Sequence, residues 1–230
     1  MTAPLVRAYV IGQTPRPDLT ADLEHRFPSI TFEVVGALDE VSPPDLQESA
    51  RCAYPLETRL RDSSRIVVDA SYAARRIQAL LDAYHGEAVA HVVLCAGPFP
   101  DLSVATERDR PRARLIRPFE VAVDMFLVQN VRRLEIVVPF QAQAPPAVAK
   151  WESKGFEACP HVLADRTPGV PLEAWLAGRV SDADAIVFDY VGYPSDALSK
   201  TAEAAALPVF DLGHLALDAL HDTLAHHQDS

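Results

Sequence analysis

Short apolar runs recur along this chain. Each ends at a polar residue, a glycine or a proline, and most are followed by a stretch with helical spacing. Leu5-Val6-Arg7-Ala8-Tyr9-Val10-Ile11 predicts a strand that stops at Gly12-Gln13-Thr14-Pro15-Arg16-Pro17, with a helix over about 18–26. Ile30–Val35 predicts the next strand, and residues 42–52 a short helix with Ser42 as its cap. Leu56–Leu60 and Arg65–Val68 flank a turn at Asp62-Ser63-Ser64 and predict a hairpin. Ala73, Ile77, Leu80, Leu81 and Tyr84 share one helical face, and Gly86 suits the helix end.

The remaining elements repeat the rhythm. Strands are expected at His91–Leu94, Leu115-Ile116, Leu134–Phe140, Gly155–Cys159, Ala185–Asp189 and Pro208–Asp211. Helices are expected at Phe119–Val128, about 145–154, Pro171–Ala177, Ser195–Ala206 with Ser195 as cap, and Leu212–Ala225. Strands alternating with helices mean βαβ units and parallel sheets. The fold class is therefore α/β: two pseudo-symmetric lobes, each a short parallel sheet flanked by helices, with a cleft between them. The expected division is residues 1–117 plus the C-terminal helix 212–226, and residues 118–211.

Composition narrows the function. The chain has 230 residues and a net charge of −11, so it lacks the basic face of a nucleic-acid binder and the charge of an electrostatic membrane anchor. No apolar run approaches the roughly 20 residues of a spanning helix, and no basic-then-apolar leader opens the sequence. Three widely spaced cysteines, Cys52, Cys95 and Cys159, read as free thiols of a cytoplasmic protein. There is no Gly-x-Gly-x-x-Gly, no P-loop and no Gly-x-Ser-x-Gly. The eight histidines form no His-Glu-x-x-His pattern. Neither a cofactor nor a metal is expected.

Two strand ends stand out. His91-Val92-Val93-Leu94 breaks into Cys95-Ala96-Gly97-Pro98, and Ala185-Ile186-Val187-Phe188 into Asp189-Tyr190-Val191-Gly192. Open α/β sheets place their ligands at the carboxyl ends of strands. Cys95 is thus a candidate base, proton donor or nucleophile; the plain alternative is a buried cysteine packing as a small hydrophobe. Gly97 allows close approach of backbone N–H groups. Tyr190 could donate a proton or a hydrogen bond to an enolate, or simply pack. Asp189 could instead be the acid–base group, or a capping carboxylate. Arg16, with Gln13 and Thr14 on the same loop, could hold a substrate carboxylate; the alternative is an ion pair with Asp18. Thr58 and Arg59 offer a second anion contact or a solvent-facing hairpin. Gln141 stands at another strand end and could bind a polar group or cap a helix. Arg108, Arg110 and Arg112 mark a solvated loop or a lid.

With those residues in place, the chain resembles the AroM family of the aspartate/glutamate racemase superfamily. The resemblance rests on Ile11-Gly12-Gln13-Thr14-Pro15-Arg16, Tyr54-Pro55-Leu56-Glu57-Thr58-Arg59-Leu60, Leu94–Pro100, Val138–Gln143 and Asp189-Tyr190-Val191-Gly192-Tyr193. It implies two lobes with a site between them. Racemases of the superfamily use one cysteine from each lobe, one removing an α-proton and the other returning a proton from the opposite face. Cys95 matches the first position. The second is Tyr190, where many similar sequences carry cysteine. The expected function is a cofactor-independent isomerase, racemase or lyase acting on a small carboxylate, with Cys95, Tyr190 and Asp189 catalytic and Gly192 lining the site. Its rival is a non-catalytic small-molecule binder or regulatory protein. A third reading, thiol hydrolysis with His91 as base, has no triad spacing behind it. A homodimer is possible.

Overall fold

The structure, a computed structural model, describes residues 3–42, 45–46, 52–84, 88–104, 113–180 and 182–228. Most of the expected 42–52 helix, Gly86 and the Arg108–Arg112 loop lie outside them. The chain is α/β, with two four-stranded parallel sheets flanked by helices and one antiparallel hairpin. It divides into two compact units, Met1–Pro118 with Ala216–Ser230, and Phe119–Leu215.

Unit 1 holds β1 (Leu5–Val10), α1 (Pro17–Arg26), β2 (Thr31–Gly36), the hairpin strands β3 (Pro55–Arg59) and β4 (Arg65–Asp69), α2 (Ala70–Ala83), β5 (Ala90–Val93) and β6 (Arg114–Ile116). Its sheet runs β2-β1-β5-β6, all parallel. Alternation sends Tyr9, Val93 and Cys95 to the face covered by Ile77 and Leu81 of α2 and by Leu56 and Val68 of the hairpin. Asp69 begins α2 by accepting hydrogen bonds from the Ser71 backbone and hydroxyl. Arg7 is buried in the sheet, where Glu33 and the Tyr84 carbonyl take its donors.

Unit 2 is carried by α3 (Pro118–Val128), β7 (Arg133–Val138), α4 (Ala144–Glu152), β8 (Glu157–Val162), α5 (Leu172–Ala177), β9 (Ala185–Phe188), α6 (Ser195–Ala205) and β10 (Val209–Asp211). The last helix, α7 (Leu212–Gln228), starts in unit 2 and ends in unit 1. The sheet order is β10-β9-β7-β8. One face packs on α5 through Val137, Ile186, Phe188, Leu172, Trp175 and Leu176. Trp151 of α4 packs among Phe119, Phe126 and Phe156.

Two expectations shift. The strand expected at Gly155–Cys159 is β8, Glu157–Val162, and it runs through Pro160. As an edge strand it can spare the missing N–H. The expected cap Ser195 is the first residue of α6; extended Pro194 takes the cap position with no side-chain bond. No helix among the described residues is long and apolar enough to cross a membrane.

Candidate active site

Cys95 lies two residues beyond the end of β5. Leu94 still donates its N–H to Tyr9 at 2.8 Å, so the chain remains registered on β1 up to the thiol. The side chain belongs to the apolar cluster of unit 1 and is 8% exposed. The Gly97 N–H lies 3.4 Å from the sulfur. A donor aimed at sulfur favours its anionic form, and burial in an apolar cluster opposes it. Gly97 is needed there: a Cβ would come within 2.8 Å of the Phe99 ring and 3.0 Å of Leu56.

Of the other two thiols, Cys52 is half-buried and Cys159 is exposed. Partial burial, and after it Asp69, pushes Cys52 up; partial desolvation by neighbouring groups, and after it Glu135, does the same for Cys159, although its side chain is exposed. His91 faces the same side of β5 as Cys95 but is fully buried, and its Nδ1 bonds the Tyr9 hydroxyl at 2.8 Å. Burial, with Arg7 adding to it, lowers its pKa to about 4. A neutral imidazole already engaged by Tyr9 is poorly placed as a base for hydrolysis.

The β1–α1 loop and the hairpin form one hydrogen-bonded network. Gln13 donates its N–H to the Arg59 carbonyl at 3.1 Å, and its side chain bridges the Leu38 carbonyl and the Arg61 N–H, each at 3.0 Å. Thr14 donates its N–H and hydroxyl to Asp39, at 2.7 and 2.9 Å. Gly12 is required because a Cβ would run into the Arg59 carbonyl and the Thr58 hydroxyl. Arg16 is buried at 9% exposure; its Nε and Nη2 each meet a carboxylate oxygen of Asp18 at 2.9 Å, and Nη1 meets Thr58 Oγ1 at 3.1 Å. The Arg16 hydrogen bonds hold the Asp18 carboxyl below its usual range. The pairing with Asp18 is the plain alternative considered for Arg16, but in a buried rather than a surface setting. Arg59 reaches Asp18 at 3.8 Å. A cavity of about 630 Å³ in unit 1 is bounded by Tyr54, Asp69, Arg75 and Gln78 and by Pro98 and Phe99 of the loop that follows Cys95.

In unit 2 the structure separates Asp189 from Tyr190. Asp189 is fully buried; its Oδ1 accepts from Lys150 Nζ at 2.5 Å and its Oδ2 from Trp151 Nε1 at 3.2 Å. Both carboxylate oxygens are thus engaged, and the side chain has no exposed surface. Tyr190 points to the opposite face of the sheet, half-buried against Phe188 and Tyr193, with ring centroids 6.4 and 5.5 Å away. Gly192 has φ +96°, the left-handed region that favours glycine. Gln141 opens a 3-10 turn and its amide donates to Asp165.

Sequence reasoning missed four residues that shape these surroundings. Asp39 holds Thr14, and Lys150 neutralises Asp189. Asp211, at the end of β10, accepts the His214 N–H at 3.0 Å and lies near the Tyr193 N–H at 3.4 Å. Burial pushes Asp211 up to about 6, against the lowering effect of those backbone bonds. His214 Nε2 meets the Ser195 hydroxyl at 3.3 Å. Asp211 had the available signal, an apolar run ending in a carboxylate.

The AroM protein family model matches residues 6–219. No curated protein matches the sequence. Among solved structures, the maleate isomerase Iso from Pseudomonas putida S16 aligns over 96% of this chain and 93% of its own, at 17% identity and TM-score 0.58. Arylmalonate decarboxylase aligns over 96% and 92%, at 14% identity and TM-score 0.59. Glutamate racemase from Francisella tularensis subsp. tularensis SCHU S4, in complex with D-glutamate, aligns over 99% and 83%, at 12% identity and TM-score 0.57. At these identities the likeness is one of fold.

Proposed function

The chain belongs to the AroM family, and we propose that it is a cofactor-independent isomerase, racemase or lyase acting on a small carboxylate through the Cys95 thiolate. The observation that carries this reading is the Gly97 N–H at 3.4 Å from the Cys95 sulfur, at the carboxyl end of a central parallel strand. The proteins of like fold named above act, by their names, on maleate, an arylmalonate and glutamate, all small carboxylates.

The proposed chemistry needs few groups. Arg16 already grips a carboxylate, its own Asp18, with a two-point fork. A substrate carboxylate exchanging with Asp18 would find the same fork, with Gln13, Thr14, Thr58 and Arg59 around it. In isomerisation at an α-carbon, the Cys95 thiolate takes the proton and the electron pair passes to an enolate. Tyr190 would then return a proton or hold the enolate oxygen by a hydrogen bond. In decarboxylation, carbon dioxide leaves, its electron pair forms the enolate, and the Cys95 thiol protonates one face. In cis–trans isomerisation, the thiolate adds to the double bond, the single bond rotates, and the thiolate leaves. Asp189 and Lys150 brace the strand end; Gln141 and Gly192 are proposed to line the site.

The test is the pH dependence of alkylation at the three thiols, resolved by peptide mass spectrometry. Cys95 is expected to react fastest and to titrate below the ordinary thiol value of about 8.5, with Cys52 and Cys159 slower. Maleate, an arylmalonate and glutamate would then be followed for turnover or solvent-deuterium exchange, with Cys95→Ser as control. The burial of Cys95 in an apolar cluster favours a second reading, a small-molecule binder that performs no chemistry. Cys95 as slow as the other two would favour the binder, and ligands would then be sought by thermal shift.

A further inference from the structure

Away from the strand ends, β7 and β8 bring together three side chains that the mechanism does not use. Glu135 of β7 lies opposite Cys159 of β8, and Val137 opposite His161. Cys159 and His161 are two apart on one strand, so they project from the same face. Pro160 between them fixes that spacing stiffly. Glu135 and His161 are buried, and His161 Nε2 meets Glu135 Oε2 at 2.7 Å. Cys159 is exposed. One ligand-type atom from each residue lies within 4.8 Å of the other two.

We propose that Glu135, Cys159 and His161 form a binding site for one divalent borderline metal ion, zinc or cobalt, on the β7–β8 ladder. A thiolate, an imidazole and a carboxylate are the donor types such ions take, at about 2.0–2.3 Å from the metal. Tetrahedral geometry at those bond lengths places ligand atoms roughly 3.3–3.6 Å apart. The three ligand atoms now lie within 4.8 Å of one another, and side-chain rotation would have to open the 2.7 Å Glu135–His161 contact to reach that spacing. Charge also closes: a carboxylate and a thiolate carry −2, the imidazole is neutral, and the ion supplies +2. Binding releases the thiol proton and any proton held between Glu135 and His161. The buried pair is the inner floor of the site, and the exposed sulfur is its entry from solvent. An ion here would pin edge strand β8 to β7. The sequence did not announce it because the ligands come from two strands, 24 positions apart at the paired residues Glu135 and Cys159.

Cobalt(II) titration of the whole chain tests this, read by the thiolate-to-cobalt charge-transfer absorption. The expected result is one equivalent bound, with slower alkylation of Cys159. Cys159→Ser should abolish the absorption and weaken binding by more than the ~10–100-fold that loss of a hydrogen-bonding neighbour of a metal ligand costs. Cys52→Ser should leave both unchanged. Because Cys159 is exposed, the serine variant should keep its circular dichroism and melting temperature without metal. Glu135→Gln and His161→Asn should each weaken binding. The idea is overturned if no thiolate band appears, if it survives Cys159→Ser, or if affinity is unchanged in both Glu135→Gln and His161→Asn. It is equally overturned if binding vanishes on replacing His226 and His227 by alanine, which would place the ion on the C-terminal tail.

Discussion

The two sheets share one strand order: β2-β1-β5-β6 in unit 1 corresponds to β8-β7-β9-β10 in unit 2. The correspondence reaches single hydrogen bonds. Leu94 donates to Tyr9 at 2.8 Å, and Asp189 donates to Val137 at 2.9 Å, each just past its strand. Three residues after β1 comes Gln13; three after β7 comes Gln141. Three after β2 comes Asp39, bonded to Thr14; three after β8 comes Asp165, bonded to Gln141. Against that common frame the differences are sharp. Two residues past the strand, unit 1 has Cys95 and unit 2 has Tyr190. One residue past it, unit 1 has apolar Leu94 and unit 2 has a buried ion pair, Asp189 with Lys150. The repeated backbone holds its register under either choice, so the side chains at these two offsets are where the units have been set to different tasks.

The largest break should come at the thiol. Cys95→Ser is expected to lower turnover by on the order of 10²–10⁴-fold, measured on whichever carboxylate shows exchange in D2O. Equal rates in the variant would remove Cys95 from the chemistry. Next in size is the buried pair. Lys150→Met strands the Asp189 carboxylate and should cost about 3–5 kcal/mol by urea denaturation. Giving unit 2 the residue of unit 1, as Asp189→Leu in the Lys150→Met background, should recover most of that loss. A double variant no better than the single would mean that the pair does more than satisfy itself.

The units should also answer acid in opposite senses. His91 is held neutral with a pKa near 4, below its ordinary 6.5. The unfolded chain therefore takes up the proton first, and unit 1 loses stability as pH falls from about 6.5 towards 4. Asp211 is held near 6, above its ordinary 3.8, so unit 2 loses stability as pH rises through the range from about 4 to 6. Each effect amounts to ~2–3 kcal/mol, and in the intact chain they largely offset. Asp211→Asn keeps an oxygen for the His214 N–H and should make acid destabilisation steeper. Denaturation midpoints between pH 4.5 and 7 that match the parent's would sink this account. Gly97→Ala should cost about 1–3 kcal/mol by overpacking against Phe99 and Leu56, and should slow Cys95 alkylation. Smallest is Tyr190→Phe, expected to reduce turnover about tenfold on the order of one hydrogen bond; Tyr190→Cys, restoring symmetry, should shift the product toward a racemic mixture.

Much of this frame was legible because it is periodic. Apolar runs of four to six residues alternating with helical spacing fix a parallel α/β sheet, and the break at Cys95-Ala96-Gly97 marks its own strand end. The hairpin was legible from its turn residues. The partners were not. Lys150 and Asp189 lie 39 positions apart, and nothing local in either says that both are buried. Asp39 looks like an ordinary turn acid until the Thr14 N–H and hydroxyl are seen on it. Arg16 shows the reverse: its neighbour Asp18 was in plain view, but the burial that makes the pair matter depends on Thr58, from the hairpin 42 positions away.

The last helix carries a consequence for the order of synthesis. Unit 1 is interrupted after Pro118 and resumes only at Ala216. Its Leu217, Leu220 and Leu224 are buried, and the His221 ring lies tilted against Phe27, the residue that ends α1, with ring centroids 6.4 Å apart. A ribosome therefore delivers the whole of unit 2 before it delivers the segment that completes unit 1. The half of the protein that starts first finishes last, and until then the apolar side of its first helix has to wait or be sheltered. Truncation before residue 216 should accordingly expose the older half to aggregation while sparing the younger one.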